Sequence, residues 1–500
     1  MENLKPIKDF SLLDDPDQIA SLAHRDRLAI LRTLGEEPRT GADLARELGL
    51  PANRVHYHLN HLLERRLIEE VGKGRKLWKE ERLFRSAARH YIVDPALGGD
   101  ATAADAAIKA SIEHAFLDWH REELLQIDLG RVARLMVERC LMVKPGEQVL
   151  VMHGPLGFDL AEHLHVELAA AGCLSHTRAW SPETIRATLE RFSAEELARQ
   201  PFLPAPLDDA LAAVIFLSGS VAQGAPPSPE QMAKLPALMQ CVSAWQQSLH
   251  ARRVRYLEFA LPLRREFDVQ GSGPIRGATP EEAIEIFWKC IDTDYGRLAR
   301  RAKALEALIA ADGELRVTCP LGTDLRLRVD MERSFLLDGV VCPDDVAAGR
   351  SFEGLPAGTL NFFPVKGTAE GVYRADYTYQ GGAHIESVFL TLREGRIVEL
   401  KAERNEEVLK RRLESASGDA DLLSGVRFGI NPAGQGPTGK PILDACLAGA
   451  VTLHFGNNEL QGGDVRSTID LILPACHLTV DSGDTRLVDG GVLAAAARDV

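Results

Sequence analysis

The side chains of Asn53, Arg54, His56, Tyr57, Asn60 and His61 carry hydrogen-bond donors and acceptors. They lie opposite an apolar stripe, Val55, Leu59, Leu62 and Leu63, at helical spacing. A guanidinium forks onto guanine and a carboxamide onto adenine, and a helix of this length fits a major groove. Shortly downstream, Lys73, Arg75 and Lys76 place three positive charges within four residues. That cluster suits a phosphate backbone or a minor groove. His56, His58 and His61 could in principle ligate a metal, but no cysteine motif accompanies them, so no metal is expected.

These residues need a scaffold, and the flanking pattern supplies one. Apolar periodicity predicts helices over Ile19–Leu34, Thr40–Leu48 and Asn53–Leu67, punctuated by Gly35 to Pro38 and by Gly49 to Pro51. Strand-like runs follow at Leu67–Val71 and Leu77–Glu80, joined by a predicted hairpin turn, Gly72–Lys76. Three helices and a hairpin make a winged helix-turn-helix, assigned to residues 1–93. Residues 94–125 are expected to form an alanine-rich linker that runs into a connecting helix near Ile108–Leu125.

A helix over 131–143, a buried strand Gln148–Met152 and a helix Phe158–Ala171 set up a βαβ rhythm, so residues 126–300 are read as a parallel α/β subdomain. From Ala311 the texture changes to strands broken by glycine turns: Glu314–Thr318, Asp324–Val329, Ser387–Leu392 and Arg396–Leu400. Residues 301–500 are therefore read as a mainly antiparallel α+β subdomain. The fold class is multidomain, α/β and α+β.

The net charge of −14 would argue against nucleic acid if it were evenly spread. It is not: residues 51–93 hold 10 basic and 5 acidic side chains, so an acidic body is joined to one locally basic stretch. The eight cysteines form no CxxC pair, which fits reduced thiols. No run reaches the roughly 18 apolar residues of a membrane span, and the first residues lack a signal-peptide pattern, so a cytoplasmic protein with no membrane partner is expected.

The stretches Leu22–Leu31, Thr40–Leu48 and Val55–Leu62 together resemble the ArsR-type winged-helix regulators. The body resembles the aminopeptidase T/aminopeptidase S family of metallopeptidases. The resemblance rests on Val143-Lys-Pro-Gly-Glu-Gln-Val149, Gly322-Thr-Asp-Leu325, Leu355-Pro-Ala-Gly358, Ala369-Glu-Gly371, Gly429-Ile-Asn-Pro432, Leu453-His-Phe-Gly-Asn-Asn458 and Gly462-Gly463, in family order. It implies a two-metal site, in which carboxylates and imidazoles converge on ions that acidify a shared water. At the positions the family would use for ligands, this chain has Thr359, Gly425, Ala445, His454, Gln461, Thr468 and Asp470. Only His454 and Asp470 remain of the family's ligand set, too few for two cations that each need four or more. A different site built from Cys446, Cys476, His477, His384 and Glu370 is conceivable, but nothing in their spacing favours it over plain packing.

No cofactor and no catalytic residue is therefore expected. The leading expectation is a homodimeric regulator of double-stranded DNA, a pseudoenzyme whose cleft takes a small amino-acid- or peptide-like effector. Its contacts would be His454, Asp470, Thr359 and Glu370. Two alternatives stay open: an enzyme with residual or repurposed chemistry whose winged helix serves assembly, and a dimerising scaffold.

Overall fold

The structure is a computed structural model that describes residues 8–13, 15–76, 79–93, 127–218, 228–262, 267, 277–380 and 383–500. The linker and connecting helix expected over 94–125 lie outside the described residues. The chain divides into two compact units, Met1–Trp119 and His120–Val500.

The first unit opens with β1 (Lys8–Leu13), α1 (Pro16–Leu22) and α2 (Arg25–Glu36). The single helix expected over Ile19–Leu34 is thus two. The break falls at His24, which is extended and whose Nδ1 accepts from the Asp26 backbone N–H at 3.2 Å. A side chain that caps a new helix ends the old one. After β2 (Arg39–Thr40), Thr40 caps α3 (Gly41–Leu48) by accepting from the Asp43 N–H. Gly49, at φ 64°, makes the left-handed turn into α4 (Ala52–Glu64), while Leu50 N donates to the Ala45 carbonyl at 3.0 Å.

Strands β3 (Ile68–Lys76), β4 (Lys79–Ser86) and β5 (Ala88–Val93) complete the unit. β4 lies between β2 and β3, antiparallel to both, and β1 pairs with β5 in parallel. Gly72–Lys76 is therefore not a turn. It continues β3, with a bulge between Glu70 and Gly72, and Lys73, Arg75 and Lys76 pair with Arg82, Glu80 and Lys79. The hairpin connection at 77–78 lies outside the described residues. Leu13, Ile30, Leu34, Leu44, Val55, Leu59, Leu62 and Phe84 form the core, which fixes α4 against α2 and the sheet.

In the second unit, β6 (Gln148–His153), β7 (Leu174–Ala179), β8 (Leu211–Ser218) and β9 (Arg255–Ala260) form a parallel sheet. The helices Phe158–Ala170 and Pro229–Ala251 provide crossovers, as parallel pairing requires. The run expected to be helical over 131–143 is α-helical at Leu129–Arg134 and widens into a π-helix at Leu135–Cys140.

The larger sheet has twelve strands among the described residues and is antiparallel. It contains β10 (Glu314–Thr318), β11 (Asp324–Leu337), β13 (Thr359–Pro364), β14 (Glu370–Gln380), β15 (Ala383–Arg393), β16 (Arg396–Arg404), β17 (Leu423–Gly429), β18 (Val451–Gly456), β19 (Asp470–Ala475), β20 (Thr479–Ser482), β21 (Thr485–Asp489) and β22 (Val492–Leu493). The intervening strand, β12 (Phe352–Leu355), returns to the parallel sheet and pairs with β9. Along β13, β17, β18 and β19 one face is apolar. Leu360, Phe362, Val426, Phe428, Leu453, Phe455, Leu471 and Leu473 point into the core. The two-residue period then puts Thr359, Gly425, Arg427, His454 and Asp470 together on the opposite face. No helix among the described residues is long and apolar enough to cross a membrane.

Candidate functional site

Packing of Val55, Leu59 and Leu62 into the core of the first unit turns the other side of α4 to solvent. Asn53, Arg54, His56, Tyr57 and Asn60 are all exposed, Tyr57 at 67% despite its apolar ring. His61 departs from the outward reading: it is half-buried, and its Nε2 is 2.9 Å from Ser21 Oγ of α1. Arg54 already has a protein partner. Its guanidinium lies 2.7 Å from Asp26 Oδ2, an ion pair off the hydrogen-bonding axis. The side chains of Lys73, Arg75 and Lys76 lie outside what is described, while their backbone runs along β3. Nearby cations are neutralised internally, Arg82 by Glu70 at 2.7 Å and Arg65 by Asp17 at 2.8 Å.

His58 does not join His56 and His61. It is buried, its ring centroid is 4.6 Å from that of His24, and Nε2 is 3.6 Å from Asp26 Oδ2. His24, Asp26 and His58 are the one group among the described residues that brings three such side chains close enough to hold a metal ion. Helical spacing alone could not reveal it, because it joins α2 to α4.

In the second unit, the His454 Nε2 bonds to Asp470 Oδ1, and Ser424 Oγ is 3.3 Å from His454 Nδ1. Burial lowers the pKa of His454, against the raising effect of the Asp470 carboxylate beside it. Thr359 sits on the same sheet face and is buried, its Oγ1 accepting from Asn361 Nδ2 at 3.0 Å. Glu370 is not part of this group: it is exposed at the start of β14 and accepts from the Glu394 N–H at 2.7 Å. His477 instead packs with Asp376, Nδ1 to Oδ1 at 2.9 Å, and Cys476 donates its backbone N–H to the same carboxylate. His384 lies against the Tyr377 and Tyr379 rings. All eight cysteines are free thiols.

A metal pair does not fit this face. His454 and Asp470 satisfy each other, Gly425 and Thr359 offer no carboxylate, and the Arg427 guanidinium bears on Asp470 with a positive charge. A Cβ at position 425 would already stand 3.3 Å from that of His454, so the imidazole fills the space beside it. What remains is a cavity of about 250 Å³, lined by Thr378, Tyr379, Lys440, Ile442, Asp470 and Ile472. Lys440 is buried and donates to the Leu261 carbonyl at 2.9 Å. Glu258 of β9 feels both Asp470 and Lys440, and burial raises its carboxyl pKa. Sequence reading missed Arg427, Lys440 and Glu258. Arg427 was within reach, standing two residues from Gly425 on one strand face.

Residues 22–71 match the helix-turn-helix domain family, and residues 288–424 match the thermophilic metalloprotease (M29) family. No curated protein matches the chain. Among solved structures it is similar to wild-type AmpT from Thermus thermophilus, at 22% identity and a TM-score of 0.55 over 73% of this chain and 98% of that one. A second, 2,5-dihydroxypyridine dioxygenase from Pseudomonas putida KT2440, is 15% identical with a TM-score of 0.44 over 73% and 97%. The first likeness shows a shared fold, and the second carries no argument. The chain joins an N-terminal helix-turn-helix domain to an aminopeptidase T-like body, and among the described residues the metal-binding positions of that body do not gather into a cluster.

Proposed function

We propose that this chain is a cytoplasmic regulator that binds double-stranded DNA as a homodimer and responds to a small zwitterionic effector in its body. The observation that carries the DNA reading is the exposed row Asn53, Arg54, His56, Tyr57 and Asn60 on the second helix of a helix-turn-helix. α4 enters the major groove, while Lys73, Arg75 and Lys76 approach the backbone from the wing. Two copies read half-sites about 34–36 Å apart, or a multiple of that.

The effector reading rests on the mixed charges around the cavity. Of the side chains that line it, Lys440 suits a carboxylate and Asp470 an ammonium group. The volume lies below the roughly 300–1,000 Å³ of drug-sized pockets, which supports a molecule of amino-acid or dipeptide size. Selection of the full-length chain on random duplexes, followed by binding titrations at fixed salt, tests the DNA reading. A selected duplex should bind at least about 10³-fold tighter than unselected DNA. Equal affinities would overturn the reading.

A further inference from the structure

His58 presents an unsolved electrostatic problem in the first unit. It is 3% exposed, and among the described residues neither ring nitrogen has a hydrogen-bond partner. Buried polar groups are ordinarily satisfied, so an orphaned imidazole points to a missing neighbour. Facing it are the His24 ring and the Asp26 carboxylate, whose Oδ2 is likewise without a hydrogen bond. One ligand atom from each residue lies within 4.8 Å of the others. The His58 to Asp26 separation of 3.6 Å is already near the edge of a tetrahedron with bonds of roughly 2.0 Å, which is about 3.3 Å.

We propose that His24, Asp26 and His58 form a site for one divalent first-row transition metal such as zinc, and that loading it releases Arg54 from Asp26. Two imidazoles and one carboxylate suit zinc, cobalt(II) or nickel(II) rather than the all-oxygen shells of calcium and magnesium, and leave a fourth position for water. The absence of a thiolate from the trio disfavours copper(I). His24 gives up its capping bond to Asp26 N–H on ligation, since the ring nitrogen that accepts it is either the ligand or must take the proton. That competition moderates the affinity and ties metal occupancy to the start of α2.

The consequence for α4 is electrostatic. Asp26 Oδ2 neutralises Arg54 at 2.7 Å, and a metal at that carboxylate takes its charge and repels the guanidinium. Arg54, half exposed on the face of α4, is then free to meet DNA. This second part rests on the DNA-binding reading; the metal site does not.

The test uses the full-length chain stripped with chelator and titrated with cobalt(II), then with zinc in competition. The expected result is one cobalt(II) per chain with the visible bands of a tetrahedral ion, displaced by zinc. Asp26→Asn and His58→Ala should each weaken binding at least about tenfold, with circular dichroism reporting folding and Asp26→Asn serving if the His58 variant unfolds. In the same preparations, zinc should tighten binding to the selected duplex for the wild type and leave Asp26→Asn, whose Arg54 is already unpaired, unchanged. Absence of stoichiometric metal, or binding indifferent to both substitutions, overturns the site. Metal binding without any zinc effect on a duplex that binds overturns the release of Arg54. Metal binding by a chain that selects no duplex leaves the site standing and sinks the DNA reading.

Discussion

Arg54 has two partners that exclude each other. In the folded chain it is paired with Asp26, and on DNA the same guanidinium would fork onto a base edge. Arg54→Ala should weaken a selected duplex by about 1–3 kcal/mol and relax preference at one base pair, measured by competition among single-substitution duplexes. The exposed set around Arg54 was legible because a 3.6-residue period separates it from Val55, Leu59 and Leu62. Its pairing with Asp26 was not, because that depends on how α2 crosses α4. A second residue-scale effect concerns Asp444. It is fully buried, accepts from Tyr377 Oη at 2.7 Å and Thr438 N at 2.9 Å, and burial pushes its pKa up to about 6. The folded state therefore holds this proton more tightly than the unfolded chain. The stability it contributes is complete below about pH 4 and lost as pH rises through about 6, by up to about 3 kcal/mol. Asp338, raised to about 6 chiefly by burial, adds in the same sense. Urea unfolding between pH 4 and 7 should show this decline, and Asp444→Asn should remove a large part of its slope.

At the scale of elements, the wing and the sheet face divide the work. Lys73 and Arg75 belong to β3, paired with β4 as an extended two-stranded arm. Replacing either with alanine should weaken selected and random duplexes alike and lower the slope of log affinity against log salt by about 1. A loss confined to the selected duplex would mean that the wing reads bases. Strands such as β10 and β16 were legible from alternation. The length of β3 was not, because Gly72 and Gly74 read as turn residues yet sit in an extended arm with a bulge. The return of β12 to the parallel sheet was equally hidden, since strand order is set by long-range packing. On the face shared by β17, β18 and β19, family order located His454 and Asp470, while the cation beside them, Arg427, was within reach through its two-residue spacing from Gly425 but was not read. From that arrangement the full-length chain should release no amino acid from short peptides with added zinc, cobalt or manganese, and His454→Ala should leave its metal content unchanged. Chelator-sensitive turnover lost in His454→Ala would contradict the absence of a metal pair on this face.

For the whole molecule, the question is how the aminopeptidase T-like body would act on the helix-turn-helix unit under the proposed function. A ligand shifts a DNA-binding equilibrium only by the difference between its affinities for the two states, so a regulatory effector must favour one of them. By linkage the duplex must change the effector's affinity by the same factor. The opposite charges of Lys440 and Asp470 at the cavity direct the search to free amino acids and dipeptides. Binding of such a compound should fall at least about tenfold in Lys440→Met or Asp470→Asn, if these side chains hold its two charged ends. The most direct test is a reciprocal titration with the full-length chain. The compound in a panel of free amino acids and dipeptides that most raises the melting temperature is titrated with and without saturating selected duplex, and the duplex is titrated with and without that compound. The account predicts that both affinities change, by one common factor of at least about fivefold. Affinities equal within error in the two pairs of titrations would contradict it.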